Sequence, residues 1–236
     1  MSKDDETVRL VGVDLGQQRD YTAISVTERV PVPTGEVGTE KYWDYGQGGF
    51  DTRQGAKVAL EYRVRHLERP PLGTPYTEVV ARVVELVKNL GGNPVLVMDA
   101  TGVGRPVIDM LWKTLREDLE RTDVYVDSCA VTITGGDSVT KNPDGGLRVP
   151  KRDLISASLV LLQNGRLKIA DALPLKTALV KELLNFRVKI NISTAHDSYE
   201  AWREGDHDDL VLSVALACWA GERFLKKPNL ARVCSF

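Results

Sequence analysis

Four aspartates occupy positions at which carboxylates could work together on a metal ion. Asp14 ends a short apolar segment near the N-terminus, and Asp99 directly follows the apolar run 95–98. Asp208 and Asp209 immediately precede a long apolar stretch that is typical of a buried helix. Carboxylates that lie close together repel one another unless a cation neutralises them, and hard oxygen ligands favour Mg²⁺ or Mn²⁺. The four residues are therefore candidate ligands of a divalent metal, provided that the fold brings them together.

Each aspartate also has an ordinary structural interpretation. An Asp close to a Gly at a strand end, such as Asp14, often serves a turn, and Asp99 could cap the helix that follows it. Asp208 or Asp209 could be the N-cap of the last helix, where a negative charge interacts favourably with the helix dipole. The metal hypothesis consequently depends on convergence of the four side chains and not on any one of them.

The hydrophobic pattern predicts an α/β protein with a mixed sheet, in which three antiparallel strands are followed by parallel strands, and with helices on both faces. Residues 8–15, 22–30 and 57–67 have the alternating, β-branched character of successive strands. From residue 76 onward, segments with the hydrophobic period of a helix alternate with short segments typical of strands, which is the pattern of proteins with parallel sheets. The later predicted elements are helix 76–90, strand 94–98, helix 106–119, strand 124–134, helix 151–162, strand 166–170, helix 175–186, extended segment 187–192 and helix 207–224.

Two glycine-containing segments are predicted to be loops. Residues 31–49 are rich in turn residues and include an extended segment near Tyr42, and residues 135–146 form a second, mobile loop.

Such a sheet would gather the acids at one edge. Ligand sites in open α/β sheets lie beyond the carboxyl ends of the strands. If the first strand and strand 94–98 are adjacent and parallel, Asp14 and Asp99 meet there, and the last helix, laid across the sheet, supplies the third acid. Both Asp208 and Asp209 fall close to the apolar stripe of that helix, so both remain candidates.

Composition limits the class of protein. The 236 residues are 42% hydrophobic and 27% charged, which is ordinary for a globular protein and excludes disorder of the whole chain. The apolar runs are too short to span a membrane, and the polar N-terminus lacks the apolar core of a signal peptide. Three widely spaced cysteines form neither a zinc pattern nor a disulfide framework, which favours a reducing cytosol. We expect disordered tails at 1–7 and 226–236 around a single domain, 8–225.

Five segments of the sequence, which follow one another along the chain, resemble the nuclease domain of the large terminase subunit of tailed bacteriophages. The resemblance extends from about residue 8 to residue 224, and five ordered motifs are a stronger signal than any one of them. The segments are Gly12-Val13-Asp14-Leu15-Gly16 with Asp20-Tyr21-Thr22-Ala23, Val97-Met98-Asp99-Ala100-Thr101-Gly102-Val103-Gly104, Val149-Pro150-Lys151-Arg152-Asp153-Leu154, Glu182-Leu183-Leu184-Asn185-Phe186 and His207-Asp208-Asp209-Leu210-Val211.

The resemblance implies a ribonuclease H-like fold and an endonuclease that cuts double-stranded DNA during genome packaging. It implies two divalent metal ions, Mg²⁺ or Mn²⁺, of which one activates a water and the other stabilises the leaving 3′-oxygen. Asp14, Asp99 and one or both of Asp208 and Asp209 would be the catalytic metal ligands, with Asp20 a lesser contributor. The chain has no G-x-x-x-x-G-K-[ST] loop, so we expect it to lack the ATP-driven motor.

The implied partners are double-stranded DNA, the terminase ATPase domain, the small terminase subunit and the portal, in the cytoplasm of an infected bacterial host. The net charge of −2 does not suit DNA binding over the whole surface, but residues 138–190 contain ten Lys or Arg and four Asp or Glu. Such a local excess suits contacts to phosphate groups. The best candidates are Lys141 and Arg148 in the loop region and Lys151 and Arg152 at a helix start.

Three other functions remain open on the sequence alone. The turns at 14–16 and 99–104 also resemble the phosphate-binding turns of sugar-kinase or actin-like ATPases, which share the core fold but do not require the pair Asp208-Asp209. A Holliday-junction resolvase would have the same fold and metal chemistry. A non-catalytic DNA-binding module would use the aspartates only as caps.

Overall fold

The computed structural model describes residues 7–16, 20–102, 105–120, 124–143, 145–185, 208–225 and 230–231. The predicted extended segment 187–192 and nearly all of the two predicted tails lie outside these residues. The described elements are β1 (Val8–Asp14), β2 (Ala23–Asp44), β3 (Gly49–Glu68), α1 (Tyr76–Leu90), β4 (Val95–Asp99), α2 (Arg105–Leu119), β5 (Asp127–Thr134), β6 (Thr140–Lys141), β7 (Leu147–Pro150), α3 (Lys151–Gln163), β8 (Leu167–Ile169), α4 (Lys176–Asn185), α5 (Asp209–Arg223) and β9 (Leu230–Ala231).

The strands form one mixed sheet with the order β6-β7-β5-β4-β1-β2-β3-β8, and β9 pairs with β3. β1, β2 and β3 are antiparallel neighbours, whereas β1, β4, β5 and β7 run parallel to one another. This arrangement confirms the predicted fold class, with three antiparallel strands followed by parallel ones.

Each central strand contributes to two hydrophobic cores, because successive side chains of a strand point to opposite faces. In β1, Leu10 faces one core, and Val11 and Val13 face the other. Helices α1 and α2 cover the side of Val11, and α3, α4 and α5 cover the side of Leu10. Helices therefore lie on both faces, as predicted. None of the helices in the described part of the chain combines the length and apolar character needed to cross a bilayer.

The extended segment predicted near Tyr42 is confirmed as part of β2, but the rest of the turn-rich stretch 31–49 is also mostly strand, because β2 and β3 continue through it as a hairpin of 22 and 20 residues. No residue from 31 to 54 is buried, so we call this segment the hairpin arm. An exposed arm has no buried face and therefore lacks the alternating pattern by which strands are recognised. Its turn-forming residues are accommodated by a register shift between Pro33 and Val37.

The second predicted loop, 135–146, also contains regular structure. Thr140 and Lys141 form the short strand β6 at the edge of the sheet, where it pairs with β7. Two- and four-residue strands are too short to give a periodic signal in the sequence. β7 leads directly into α3 and so fixes where that helix begins.

Candidate active site

The sheet places Asp14 and Asp99 side by side at the carboxyl ends of two parallel strands. Val13 of β1 is in register with Met98 of β4, and each aspartate is the next residue of its strand. Both side chains are buried, with 7% of each residue exposed. Oδ1 of Asp99 accepts the backbone N–H of Thr101 at 2.7 Å.

Helix α5 brings Asp208 and Asp209 to the same edge by lying directly on the sheet. Gly12 makes this approach possible, because a Cβ at that position would lie 1.8 Å from the carbonyl oxygen of Ser213. Near the other end of the helix, a Cβ on Gly221 would lie 2.6 Å from Cε1 of Tyr62. Every residue of α5 from Asp209 to Gly221 is buried, since the helix is packed between the sheet and helices α3 and α4.

Asp208 occupies the N-cap position of α5, but its side chain makes no capping hydrogen bond. Glu182 of α4 takes this part instead: its Oε2 accepts the backbone N–H groups of Leu210 at 3.0 Å and Val211 at 3.1 Å. The interpretation of Asp208 as an ordinary N-cap therefore does not describe this helix.

The four aspartates interact electrostatically. The pKa of Asp14 is raised well above its usual value, first by burial and then by the charges of Asp99, Asp209 and Asp208. Burial likewise raises the pKa of Asp99 to about 6, although the hydrogen bonds of Thr101 act in the opposite direction. The cluster thus resists full ionisation at neutral pH and is stabilised by any cation that enters it.

Two basic side chains already lie against these acids. Nζ of Lys151, the first residue of α3, lies 2.8 Å from Oδ2 of Asp208, and its charge lowers the pKa of Asp14. The guanidinium group of Arg69, which follows β3, contacts Glu182 and lies 3.5 Å from Oδ2 of Asp209. Lys151, which is predicted to contact DNA phosphates, therefore lies against the acid cluster.

The other four predicted site residues lie at or near the surface of the protein. Asp20 is exposed in a bend next to the backbone of Gly16. Lys141 and Arg148 are exposed on β6 and β7. Arg152 bonds to the backbone carbonyl of Asp137 and forms an ion pair with its carboxylate.

Sequence reasoning missed the contributions of Arg69 and Glu182. Glu182 lies in one of the segments that resemble the terminase family, and this was the available signal for it. Arg69 precedes Pro70-Pro71 and belongs to no motif. Both act across the fold, through contacts that no local pattern encodes.

The residues present suit a hard divalent cation. The candidate donors are the carboxylate oxygens of four aspartates, and the basic groups of Lys151 and Arg69 lie against them. Within the described ranges, no three His, Cys, Asp or Glu side chains are already arranged around a single ion position. Since Lys151 and Arg69 engage Asp208 and Asp209, the carboxylates must reorient for an ion to bind.

No protein-family model and no curated protein matches the sequence. Among solved structures, the Mn-soaked human cytomegalovirus terminase nuclease domain is 9% identical, with a TM-score of 0.54, and the match covers 95% of this chain and 88% of that one. The same domain with inhibitor bound gives a TM-score of 0.51 at the same identity and coverage. The large terminase nuclease from thermophilic phage G20c is 22% identical, with a TM-score of 0.46, over 90% of this chain and 81% of that one.

The mixed sheet and its flanking helices define a ribonuclease H-like α/β protein. The solved cytomegalovirus domains narrow this class: the chain has the fold of terminase nuclease domains over nearly its whole length.

Proposed function

We propose that this chain is a metal-dependent endonuclease that cuts double-stranded DNA in phage genome packaging, as the nuclease domain of a large terminase subunit. The observation that carries the proposal is the meeting of Asp14, Asp99, Asp208 and Asp209 at one sheet edge of a terminase-nuclease fold. Four interacting aspartates from three separate elements have no use as helix caps, and Asp208 does not act as one. The Mn-soaked relative is consistent with use of a divalent metal.

Asp14, Asp99, Asp208 and Asp209 would hold two Mg²⁺ or Mn²⁺ ions. Bound there, the ions supply an activated water and stabilisation of the leaving 3′-oxygen. The protein's own contribution is positional: β1 and β4 fix two carboxylates, and α5 brings two more against them. Lys151, whose Nζ lies 2.8 Å from Oδ2 of Asp208, would stand beside the ions. Asp20, exposed next to the backbone of Gly16, would be a lesser contributor.

DNA would be held through its phosphates beside the acids. Lys141 and Arg148 are exposed on neighbouring strands, and β7 leads into the helix that carries Lys151. Backbone contacts of this kind position a duplex without reading bases, so cleavage with low sequence preference is expected. The partners would be those of a packaging complex, namely the ATPase domain, the small terminase subunit and the portal, in the cytoplasm of the infected host.

The proposal is tested by incubating the protein with supercoiled plasmid and Mg²⁺ or Mn²⁺. We expect nicked and linear DNA with the wild type, and a loss of at least about 100-fold in Asp99→Asn, because a ligand oxygen loses its charge. Asp127→Asn is the matched control, since Asp127 is exposed at the start of β5, the strand next to β4.

ATP hydrolysis is measured in parallel. ATP turnover without DNA cleavage would favour the actin-like alternative, and DNA retention with neither reaction would favour a binding module. Either result overturns the nuclease proposal. A marked preference for four-way junctions over linear duplex would instead indicate a resolvase.

A further inference from the structure

The start of helix α5 is fixed by a residue of another helix. The first N–H groups of an α-helix lack partners within the helix, and a side chain at the N-cap normally accepts those of the second and third residues. Here these are the N–H groups of Leu210 and Val211, and both bond to the same oxygen of Glu182. Asp208, at the N-cap itself, is thereby released to face the acid cluster, where it meets Lys151.

Glu182 is in turn held by Arg69. The Glu182 side chain is 8% exposed, its Oε1 bonds to the Arg69 guanidinium, and Arg69 also lies 3.5 Å from Oδ2 of Asp209. Burial raises the pKa of Glu182, and the Arg69 guanidinium and the N–H groups of Leu210 and Val211 act in the opposite direction.

Arg69 also reaches the loop that follows Asp14. Its guanidinium carbon lies 5.2 Å from the centre of the Tyr21 ring, an arrangement in which the cation is attracted to the ring. The neighbouring Thr22 accepts the backbone N–H of Gly16. One arginine therefore joins the loop after the first aspartate, the α4 carboxylate and the aspartate at the start of α5.

We propose that Glu182 and Arg69 are positioning residues, which set the place of Asp208 and Asp209 for metal binding without being ligands themselves. This inference rests on the proposed function and adds residues that no motif assigned. Because Glu182 caps α5 from outside, the two aspartates at its start are available as ligands. Because Arg69 contacts Glu182 and Asp209 together, it restrains the buried carboxylate of the first residue of α5.

The test is Mn²⁺ binding to the full chain without DNA, measured by titration calorimetry, for the wild type, Glu182→Gln and Arg69→Lys. Gln keeps the size of the side chain and one accepting oxygen but loses the charge that holds Arg69. Lys keeps the charge but cannot bond to two carboxylates with one planar group. We expect the dissociation constant for Mn²⁺ to rise about 10-fold or more in both variants, as for other residues that orient metal ligands.

Glu222→Gln is the matched control, because Glu222 bonds to Tyr62 and Arg166 at the opposite end of the same helix. We expect it to lower the melting temperature and to leave Mn²⁺ affinity unchanged. In plasmid cleavage, the Glu182 and Arg69 variants should need about 10-fold more Mn²⁺ for half-maximal rate and recover most of the rate at saturation.

The outcomes separate the two proposals. A folded Glu182→Gln variant that binds Mn²⁺ as tightly as the wild type overturns the positioning role and leaves the nuclease proposal intact. Should Glu182→Gln fail to fold, Arg69→Lys decides the question by the same measurement. A folded wild type that neither binds Mn²⁺ nor cuts DNA overturns the proposed function, and the positioning role with it.

Discussion

Replacing Asp99 by Asn is expected to stabilise the metal-free protein while removing the proposed nuclease activity. The pKa of Asp99 is raised from 3.8 to about 6 by burial, so the native state holds its proton more tightly than the unfolded chain does. A carboxyl with a raised native pKa leaves stability unaffected below its unfolded pKa and lowers it as the pH rises above that value. Asn has the same shape and no charge, and its oxygen can still accept the N–H of Thr101.

The expected gain in the free energy of unfolding follows from the size of the pKa shift of Asp99. A difference of about two pKa units corresponds to about 3 kcal/mol in the free energy of unfolding above about pH 7, and to about 1 kcal/mol near pH 4.5. For a chain of this length, about 3 kcal/mol raises the melting temperature by about 6–12 °C.

The assay is thermal unfolding of the wild type and Asp99→Asn in EDTA near pH 7.5 and near pH 4.5. Asp127→Asn, an exposed change of the same chemistry, should have no effect at either pH. Added Mg²⁺ should stabilise the wild type more than Asp99→Asn, so the difference between their melting temperatures should become smaller. Equal melting temperatures of the two proteins near neutral pH would refute the reasoning. An equal gain in melting temperature at both pH values would show that the charge of Asp99 is not the cause of the gain.

Three further changes test other parts of the structure. Gly12→Ala should lower the free energy of unfolding by about 3 kcal/mol or more, because its methyl group meets the carbonyl of Ser213; a urea melt with little change would mean that α5 can move away. The double variant Lys141→Ala with Arg148→Ala should bind duplex DNA more weakly, and the slope of the logarithm of its binding constant against the logarithm of the salt concentration should fall in size by about 2. An unchanged slope would exclude the two residues as phosphate contacts. Replacing residues 36–53 by a short turn should change stability by less than about 1 kcal/mol, since no residue there is buried, and a larger loss would show that the hairpin arm supports the core.

The sequence was sufficient to predict the sheet edge at which the acids meet. Asp14 and Asp99 each end an apolar strand, and a parallel pairing of those strands leaves the two carboxylates adjacent. The last helix was also recognisable, because its apolar run begins directly after Asp208 and Asp209. These features are local, and period and composition report local structure well.

What the sequence could not predict depends on contacts between distant segments. Glu182 caps a helix that starts 27 residues further along the chain, and Lys151 pairs with an aspartate 57 residues away. The hairpin arm was missed for a different reason, since strands without a buried face carry no hydrophobic alternation. Gly12 sits beside a candidate ligand, but only the docked helix explains why no side chain fits there.

The order of the acids along the chain has a consequence for the moment at which the acid cluster first forms. Asp14 and Asp99 belong to strands that are synthesised early, whereas Asp208 and Asp209 are carried by a helix that emerges from the ribosome much later. Because α5 is enclosed by the sheet on one side and by α3 and α4 on the other, it docks only after those elements exist. A growing polypeptide therefore has Asp14 and Asp99 in place before Asp208 and Asp209 join them. The four carboxylates meet only when α5 docks.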